Sequence, residues 1–116
     1  MSEEHFCPIK DVLDRIGDKW SIYVITTLGT RGVLRFNELK NQIQGISQKM
    51  LTHTLRHLEE DGLVERRYFA EIPPRVEYRL TAMGASLLEE LNNLSQWAMR
   101  HRDEILQARK NFKLKS

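Results

Sequence analysis

Between residues 36 and 62 the sequence contains two short amphipathic segments separated by a glycine turn, and this pattern leaves few folds open. In the first segment Leu39 and Ile43 are the apolar members, and Asn37 is the expected N-cap residue. The polar turn that contains Gly45 follows directly. These residues predict a short helix that ends in a tight turn.

The second segment is specified most clearly at its start. Ser47 is expected to cap the helix, and Ile46 before it can pack on Leu51, which fixes the angle at which the chain enters the helix. Gly62 is expected to end this helix. A helix, a glycine-containing turn and a capped helix together predict a helix-turn-helix over residues 36–62.

The two faces of the second helix differ in polarity. Its inward stripe consists of Leu51, Thr54, Leu55 and Leu58, whereas the residues predicted to face outward are Ser47, Gln48, Lys49, Thr52, His53 and Arg56. Amide, hydroxyl and cationic side chains of this kind read base edges in a major groove and contact phosphate. We therefore predict that these six residues bind duplex DNA, the alternative being an ordinary solvated helix face.

The periodicity of the sequence changes after Gly62. Apolar and polar residues alternate strictly over residues 76–80, and residues 63–69 form a suitable partner strand. Residues 63–80 therefore predict a β-hairpin wing, with its tip at residues 70–75.

Basic residues on this hairpin are the second group of candidate DNA contacts. Arg75, beside two prolines at the predicted tip, is placed to enter a minor groove or touch the backbone, and Arg67 lies on a strand. For Arg66, Arg67 and Arg79, pairing with neighbouring glutamates is an equally good interpretation. A short third strand near residues 33–35 is expected to pair with the hairpin.

Two helices are expected ahead of this region. Apolar residues at helical spacing, with a proline at the first helical position, predict a first helix over residues 8–16. A second helix is expected from its cap, Asp18, through Leu28. Gly29 and Gly32 are expected to bracket the turn that follows.

From residue 82 the chain returns to helical spacing. A single helix over residues 82–110, about 40 Å long at 1.5 Å per residue, would outrun a small domain. Its apolar stripe would be wet unless another surface covered it, and a second copy of the chain is the simplest cover. The predicted homodimer interface consists of Leu87, Leu91, Leu94, Trp97, Ala98, His101 and Ile105.

Composition limits the classes of protein to which this chain can belong. With 116 residues, 41% of them hydrophobic, it is expected to form a single domain over residues 1–116. No apolar run approaches about 18 residues and the N-terminus lacks the pattern of a signal peptide, so we expect a cytoplasmic protein without membrane association. The net charge of +2 does not by itself indicate nucleic acid.

Six short motifs follow one another along the chain from about Cys7 to Leu91. They are Cys7-Pro8, Ile16-Gly17-Asp18-Lys19-Trp20, Arg35-Phe36-Asn37-Glu38-Leu39, Gly45-Ile46-Ser47 with Lys49-Met50-Leu51, Leu58-Glu59 with Asp61-Gly62-Leu63-Val64 and Arg66, and Pro74 with Val76-Glu77-Tyr78, Leu80-Thr81 and Gly84. In this order and spacing they closely resemble the HxlR family of winged-helix regulators. The resemblance implies an α+β, mainly α fold: a winged helix-turn-helix with a small antiparallel β-hairpin wing and N- and C-terminal dimerisation helices. It also implies a dimeric bacterial DNA-binding regulator.

Cys7 is the only cysteine, so no internal disulfide can form. It would be the N-cap residue of the first helix, where the helix dipole and Lys10 favour the thiolate form. Several members of the family that the chain resembles are implicated in sensing oxidants or electrophiles through a cysteine at this position. Redox sensing by Cys7 and a small side chain without a function therefore stand as alternatives.

The sequence thus predicts a sequence-specific transcriptional regulator that acts as a homodimer on an inverted repeat in double-stranded DNA, with half-sites about 34 to 36 Å apart. One alternative is a winged helix that binds protein or RNA, although an apolar recognition helix would then be expected. An enzyme with Cys7 as nucleophile is a second alternative, for which the sequence offers no positioned base. No cofactor, metal site or catalytic residue is predicted, and the sequence indicates no particular effector.

Overall fold

The computed structural model describes residues 7–115, which form helices and one small β-sheet. In chain order the elements are α1 Pro8–Ile16, α2 Lys19–Arg31, β1 Leu34–Arg35, α3 Phe36–Gln42, α4 Gln48–Glu60, β2 Val64–Phe69, β3 Arg75–Leu80, α5 Ala82–Arg100 and α6 Arg102–Lys115. This described part divides into two compact units, one ending at Ala85 and the other beginning at Ser86. The predicted fold class, mainly helical with a small antiparallel sheet, is confirmed.

α2 begins where the sequence predicts but ends later. The Asp18 carboxylate accepts a hydrogen bond from the backbone N–H of Ser21 at 2.9 Å, which confirms the predicted cap. The predicted turn at Gly29 is wrong, because the helix continues to Arg31 and ends at Gly32, whose φ of 85° suits glycine. A glycine costs a helix interior only about 1 kcal/mol, and the buried face of α2 offsets that cost.

α3 begins earlier than the sequence predicts. Its N-cap residue is Arg35 and not Asn37, because the Glu38 carboxylate accepts a hydrogen bond from the backbone N–H of Arg35 at 2.8 Å. Arg35 is also the last residue of β1, so the chain passes from the strand directly into the helix. Asn37 therefore lies inside the first turn.

α4 agrees with the prediction at both ends. At its start the Ser47 hydroxyl oxygen accepts a hydrogen bond from the backbone N–H of Met50 at 3.0 Å. At its end the N–H of Leu63 donates to the carbonyl of Leu58 at 2.9 Å, and Gly62 between them has a φ of 75°. The helix packs against α2 and β2, and its predicted inward stripe is buried: Leu51, Thr54, Leu55 and Leu58.

Three strands of the described chain pair antiparallel in the order β1-β3-β2. The predicted third strand is confirmed, since Leu34 pairs with Tyr78. In the hairpin Phe69 pairs with Arg75, which leaves residues 70–74 as the loop. The predicted position of Arg75 at the tip is therefore wrong, because backbone pairing makes it the first residue of β3.

The hydrophobic core lies in the unit that ends at Ala85. Its largest fully buried side chains come from α2, α3 and α4, and they are Val24, Ile25, Leu28, Leu39, Leu51 and Leu58. Burial of a side chain of this size stabilises a fold by about 1.5 to 3 kcal/mol. This packing holds one face of α4 in place and leaves the opposite face to solvent.

The start of α5 is joined closely to the end of α4. The Thr81 hydroxyl donates to the carbonyl of Gly62 at 2.6 Å and accepts from the backbone N–H of Gly84 at 3.0 Å. A Cβ at position 84 would overlap the carbonyl oxygen of Leu63, so this approach requires glycine. The wing is thereby fixed at its base.

The prediction of one continuous helix over residues 82–110 is wrong. α5 and α6 meet at His101, and α6 continues beyond residue 110. The His101 ring lies against that of Trp97, with 4.7 Å between the centroids, and its Nδ1 is 2.9 Å from a carboxylate oxygen of Glu104. Backbone hydrogen bonds nevertheless flank this junction, from the N–H of His101 to the carbonyl of Trp97 at 3.1 Å and from the N–H of Ile105 to the carbonyl of His101 at 2.9 Å. No helix within residues 7–115 is long and apolar enough to cross a membrane.

Candidate nucleic-acid interface

The outward face of α4 is exposed along the helix. Five of the six side chains predicted to face outward line one shallow surface depression of about 490 Å³: Gln48, Lys49, Thr52, His53 and Arg56. Because α4 is closed by a hydrogen-bonding motif at each end and packed on its other face, these side chains project from a rigid support. The structure therefore brings together the face that the polarity of the sequence predicts.

Two cations on this face are available to an external partner. Within residues 7–115 neither Lys49 nor Arg56 forms an ion pair with a carboxylate. Both side chains are exposed. A phosphate or a guanine edge that approached α4 would therefore meet two cations without first displacing a carboxylate.

The two hydroxyl groups of the face are engaged within the helix. The Ser47 hydroxyl oxygen accepts the capping hydrogen bond from Met50, and the Thr52 hydroxyl donates to the carbonyl of Gln48 at 2.9 Å. The polar atoms of Ser47 and Thr52 thus stabilise α4 first. The Thr52 methyl group, which suits the methyl group of thymine, does not take part in that hydrogen bond.

His53 lies against a second histidine one helical turn further along. The rings of His53 and His57 are 4.4 Å apart between centroids and are tilted by 51°. His57 is partly buried, whereas His53 is exposed. This contact limits the positions open to the His53 ring on the face of α4.

Arg75 is held by contacts within the wing. Its Nη2 lies 3.0 Å from a carboxylate oxygen of Glu71, and its guanidinium lies over the Phe69 ring, 4.0 Å from the centroid. Its Nε is buried and 3.5 Å from a carboxylate oxygen of Glu77, an ion-pair contact without hydrogen-bond geometry. With a side chain only 27% exposed, Arg75 is less available to DNA than its sequence position suggests.

The other wing arginines also lie near carboxylates, at different distances. Arg79 Nε is 2.6 Å from Glu65, which realises the cross-strand alternative. The corresponding distance is 3.8 Å from Arg66 to Glu59 and 3.9 Å from Arg67 to Glu65. Arg67 has the longest of these contacts and a side chain that is 57% exposed, so it is the wing cation most easily released.

Tyr78 is a neighbour of the outward face of α4 that the sequence reasoning did not identify. It lines a depression of about 240 Å³ with Arg56 and Thr52 of α4 and Arg66 of β2. Burial raises the pKa of Tyr78, an effect that Arg66 opposes, so the hydroxyl stays protonated and can donate a hydrogen bond. The alternation of residues 76–80 places Tyr78 among apolar neighbours, and only the strand register, which pairs it with Arg66, indicates this role.

Cys7 occupies the N-cap position of α1, as predicted. Its carbonyl accepts a hydrogen bond from the N–H of Asp11 at 3.0 Å, and its side chain makes no capping hydrogen bond. The thiol is free and exposed. No side chain in the described part of the chain covers this thiol.

Apolar side chains lie exposed on both the first and the last helices. On α1 the exposed side chains are Ile9, Val12 and Leu13, whose helical spacing was the available signal and which the sequence reasoning did not name as interface residues. Of the predicted interface residues, Leu94, Trp97 and Ala98 are exposed, whereas Leu87, Leu91, His101 and Ile105 are partly buried. The dimer interface stays a prediction, since these surfaces are described in one chain.

Among residues 7–115 no three side chains of the metal-ligating types come together in a way that could hold an ion.

Comparison with known proteins bears directly on this interface. The model of the HxlR-like helix-turn-helix family matches residues 15–106. The chain is 44% identical over 95 residues to an uncharacterized HTH-type transcriptional regulator of Methanothermobacter thermautotrophicus, an alignment that covers 82% of this chain and 72% of that protein.

Solved structures give the same result. The redox regulator HypR in its reduced form is 37% identical, with a TM-score of 0.76 over 85% of this chain and 97% of the other. The diamide-treated YodB from B. subtilis is 34% identical, with a TM-score of 0.72 over 82% of this chain and 94% of the other.

The family match includes α2, the helix-turn-helix, the wing and α5. Relatives of this kind are transcriptional regulators and not enzymes, which sets aside the hypothesis of a catalytic Cys7. The chain belongs to the HxlR-like helix-turn-helix family and is a transcriptional regulator of the helix-turn-helix type.

Proposed function

We propose that two copies of this chain bind an inverted repeat in duplex DNA, that each copy places α4 in a major groove, and that modification of Cys7 by an oxidant or electrophile changes this binding. The observation that carries the proposal is the exposed polar face of α4, on which Lys49 and Arg56 form no ion pair within the described residues 7–115. A protein-binding winged helix would be expected to expose apolar residues there.

Direct readout on this face would divide between base edges and phosphates. Gln48 has the amide geometry that pairs with adenine, and Lys49 and Arg56 suit guanine or phosphate. Each good base contact contributes about 1 to 3 kcal/mol of discrimination. On the wing Arg67 is the first candidate for a backbone contact, because its ion pair is long and exposed.

The exposed apolar residues support binding as a homodimer. A second copy of the chain would cover the exposed part of the stripe from Leu87 to Ile105 and the apolar face of α1. A two-fold dimer presents its two α4 helices with the same symmetry, and it therefore selects an inverted repeat with half-sites about 34 to 36 Å apart.

The exposure of Cys7 at a helix N-terminus supports the thiol switch, as does similarity to a protein described as a redox regulator. With one cysteine per chain, an oxidant such as diamide would join the Cys7 residues of two chains. An S–S bond forms, and the N=N group of diamide takes up both thiol protons and two electrons to become a hydrazine. With a quinone the Cys7 thiol would add to a ring carbon: an S–C bond forms as the ring C=C π bond breaks, and the thiol proton and the proton of that carbon end on the two oxygens of the resulting hydroquinone.

The first test is fluorescence anisotropy with a labelled duplex from upstream of the chain's own coding sequence. We expect Lys49→Ala and Arg56→Ala each to weaken binding, while Lys110→Ala, which removes the same charge from α6, leaves it nearly unchanged. Equal binding by all four proteins would contradict a reading role for α4.

The thiol switch is tested in the same assay. We expect diamide or a quinone to change the affinity of the wild-type protein and to leave the Cys7→Ser variant unaffected. If both proteins keep their affinity, the redox part of the proposal is wrong while the DNA-binding part stands.

Duplex RNA of the same sequence serves as the competitor that separates DNA from RNA binding.

A further inference from the structure

The C-terminal end of α4 carries an unfavourable set of charges. Glu59 and Glu60 are the last residues of the helix and Asp61 is its C-cap residue. A helix C-terminus has a partial negative charge, so carboxylates there destabilise the helix unless cations approach. This helix presents the proposed reading face, which consists of Gln48, Lys49, Thr52, His53 and Arg56. It therefore needs positive charge from another part of the fold.

Two arginines from other elements supply this charge. Arg15 of α1 donates from Nε and Nη2 to the two carboxylate oxygens of Asp61, at 2.9 and 2.8 Å, and Nη2 also lies 3.2 Å from Glu60. Arg66 of β2 lies 3.8 Å from Glu59. The hydrogen bonds to Asp61 and then to Glu60 raise the pKa of Arg15. A two-pronged contact of this kind fixes direction as well as distance.

Arg15 is also the main polar attachment of α1 to the rest of its unit. Of the nine residues of α1, Ile16 alone is buried, and Ile9, Val12 and Leu13 are exposed. Within residues 7–115 the hydrogen bonds that join α1 side chains to another element all come from Arg15. Beyond the short connection to α2 through Gly17 and Asp18, the place of α1 relative to α4 therefore depends mainly on the buried Ile16 and the Arg15 guanidinium.

We propose that Arg15 is a positioning residue for DNA reading: its contact with Asp61 sets the position of α4 relative to α1. This inference rests on the proposed function, in which α4 reads DNA. Cys7 lies eight residues before Arg15 on the same helix, about 12 Å away at 1.5 Å per residue. A displacement of α1 caused by modification of the thiol would thus reach the end of α4 through the contacts of one guanidinium with Asp61 and Glu60.

Charge reversal separates this role from general effects of charge. Asp61→Arg adds positive charge near the reading helix and suits the helix dipole, so electrostatics alone predicts tighter DNA binding and a helix that is no less stable. The positioning role predicts the opposite for DNA. We expect Asp61→Arg and Arg15→Asp each to weaken binding about fivefold or more, and the double reversal to restore it to within about twofold of wild type.

The measurement is fluorescence anisotropy on one operator fragment, with thermal unfolding of each variant as a check that it is folded. Arg15→Lys keeps the charge but loses the two-pronged geometry, so we expect it to weaken binding, though by less than Arg15→Asp, because a single hydrogen bond to Asp61 remains available. Single reversals that bind as tightly as wild type, or a double reversal as weak as the singles, would overturn the positioning role while leaving DNA binding intact. A wild-type protein that binds no DNA would instead overturn the proposed function, and the inference with it.

Discussion

The outward face of α4 carries Lys49 and Arg56 without an ion pair in the described chain, whereas every arginine of the β2–β3 hairpin lies between 2.6 and 3.9 Å from a carboxylate. Both regions are rich in basic residues, and the sequence makes both candidates for binding nucleic acid. The difference lies in what each cation must give up before it can contact phosphate.

The free-energy cost of breaking an ion pair is small when the pair is exposed and larger when it is half-buried. An exposed ion pair contributes about 0 to 1 kcal/mol, so Arg67 can exchange Glu65 for phosphate at little cost. Arg75 would also have to leave the ring of Phe69. The cations of the interface therefore differ in how readily they can contact phosphate: Lys49 and Arg56 most readily, Arg67 next and Arg75 least.

The largest effect is expected from removing both free cations. Lys49→Ala combined with Arg56→Ala should weaken DNA binding by about 100-fold, because each contact is typically worth 1 to 3 kcal/mol. If Lys49 or Arg56 contacts a phosphate, its removal should reduce the magnitude of the slope of log K against log salt concentration by about 0.9. The matched control is Arg79→Ala together with Lys110→Ala, which removes the same charge. A control pair that costs as much as the α4 pair would break the comparison.

A smaller effect separates the two wing arginines. Arg67→Ala should weaken binding by about fivefold and lower the salt slope by about 0.9, as expected for one phosphate contact. Arg75→Ala should leave the salt slope unchanged and lower the melting temperature instead, because it removes the contacts with Phe69 and Glu71. Titrations at four salt concentrations and thermal unfolding of both variants measure these quantities. The reverse assignment would show that the wing is rearranged on DNA.

A third prediction concerns the support of the reading face. Ser47→Ala should destabilise the fold by about 1 kcal/mol, since it removes the cap of α4. In a chain of this size that corresponds to a fall in melting temperature of about 3 to 6 °C. Ser47→Asn, which caps a helix equally well, should keep the wild-type stability. If Ser47→Asn is stable but binds DNA poorly, the serine also contacts DNA.

The smallest effect is expected where the two regions meet. Because burial raises the pKa of Tyr78 above its ordinary value of 10.0, its hydroxyl is neutral throughout the range from about pH 7 to 9. Tyr78→Phe should therefore weaken DNA binding by about threefold, through one lost neutral hydrogen bond, with the same factor at every pH. A ratio of the two affinities that changes over this range would show that the hydroxyl titrates there.

Much of the helix-turn-helix could be predicted because its signals are local. Asp18 and Ser47 each accept a hydrogen bond from a backbone N–H three residues ahead, so the sequence itself shows where α2 and α4 begin. Gly62 at the end of α4 and the alternation in β3 are signals of the same short range. The polar face of α4 follows once its start and period are known.

The element boundaries that were predicted wrongly lie where a local sequence signal, such as a glycine or a capping residue, is outweighed by other contacts in the fold. Gly29 suggests a turn, but packing of the buried face carries α2 past it. Asn37 is a good capping residue, but the Glu38 side chain selects Arg35 at the end of a strand. In the C-terminal region the apolar periodicity is continuous, and it gives no sign that one helix ends at Arg100 and the next begins at Arg102.

The sequence by itself determined the starts of α2 and α4, the hairpin and the polar face of α4, because these depend on signals from residues close together in the chain. Tertiary structure decided which cations are free and which are paired, because those contacts join distant residues. Arg15 and Asp61 are 46 positions apart, and Arg79 and Glu65 meet only through the register of two strands. The sequence shows which side chains are charged, but whether a charged group can contact phosphate depends on distances that exist only in the folded chain.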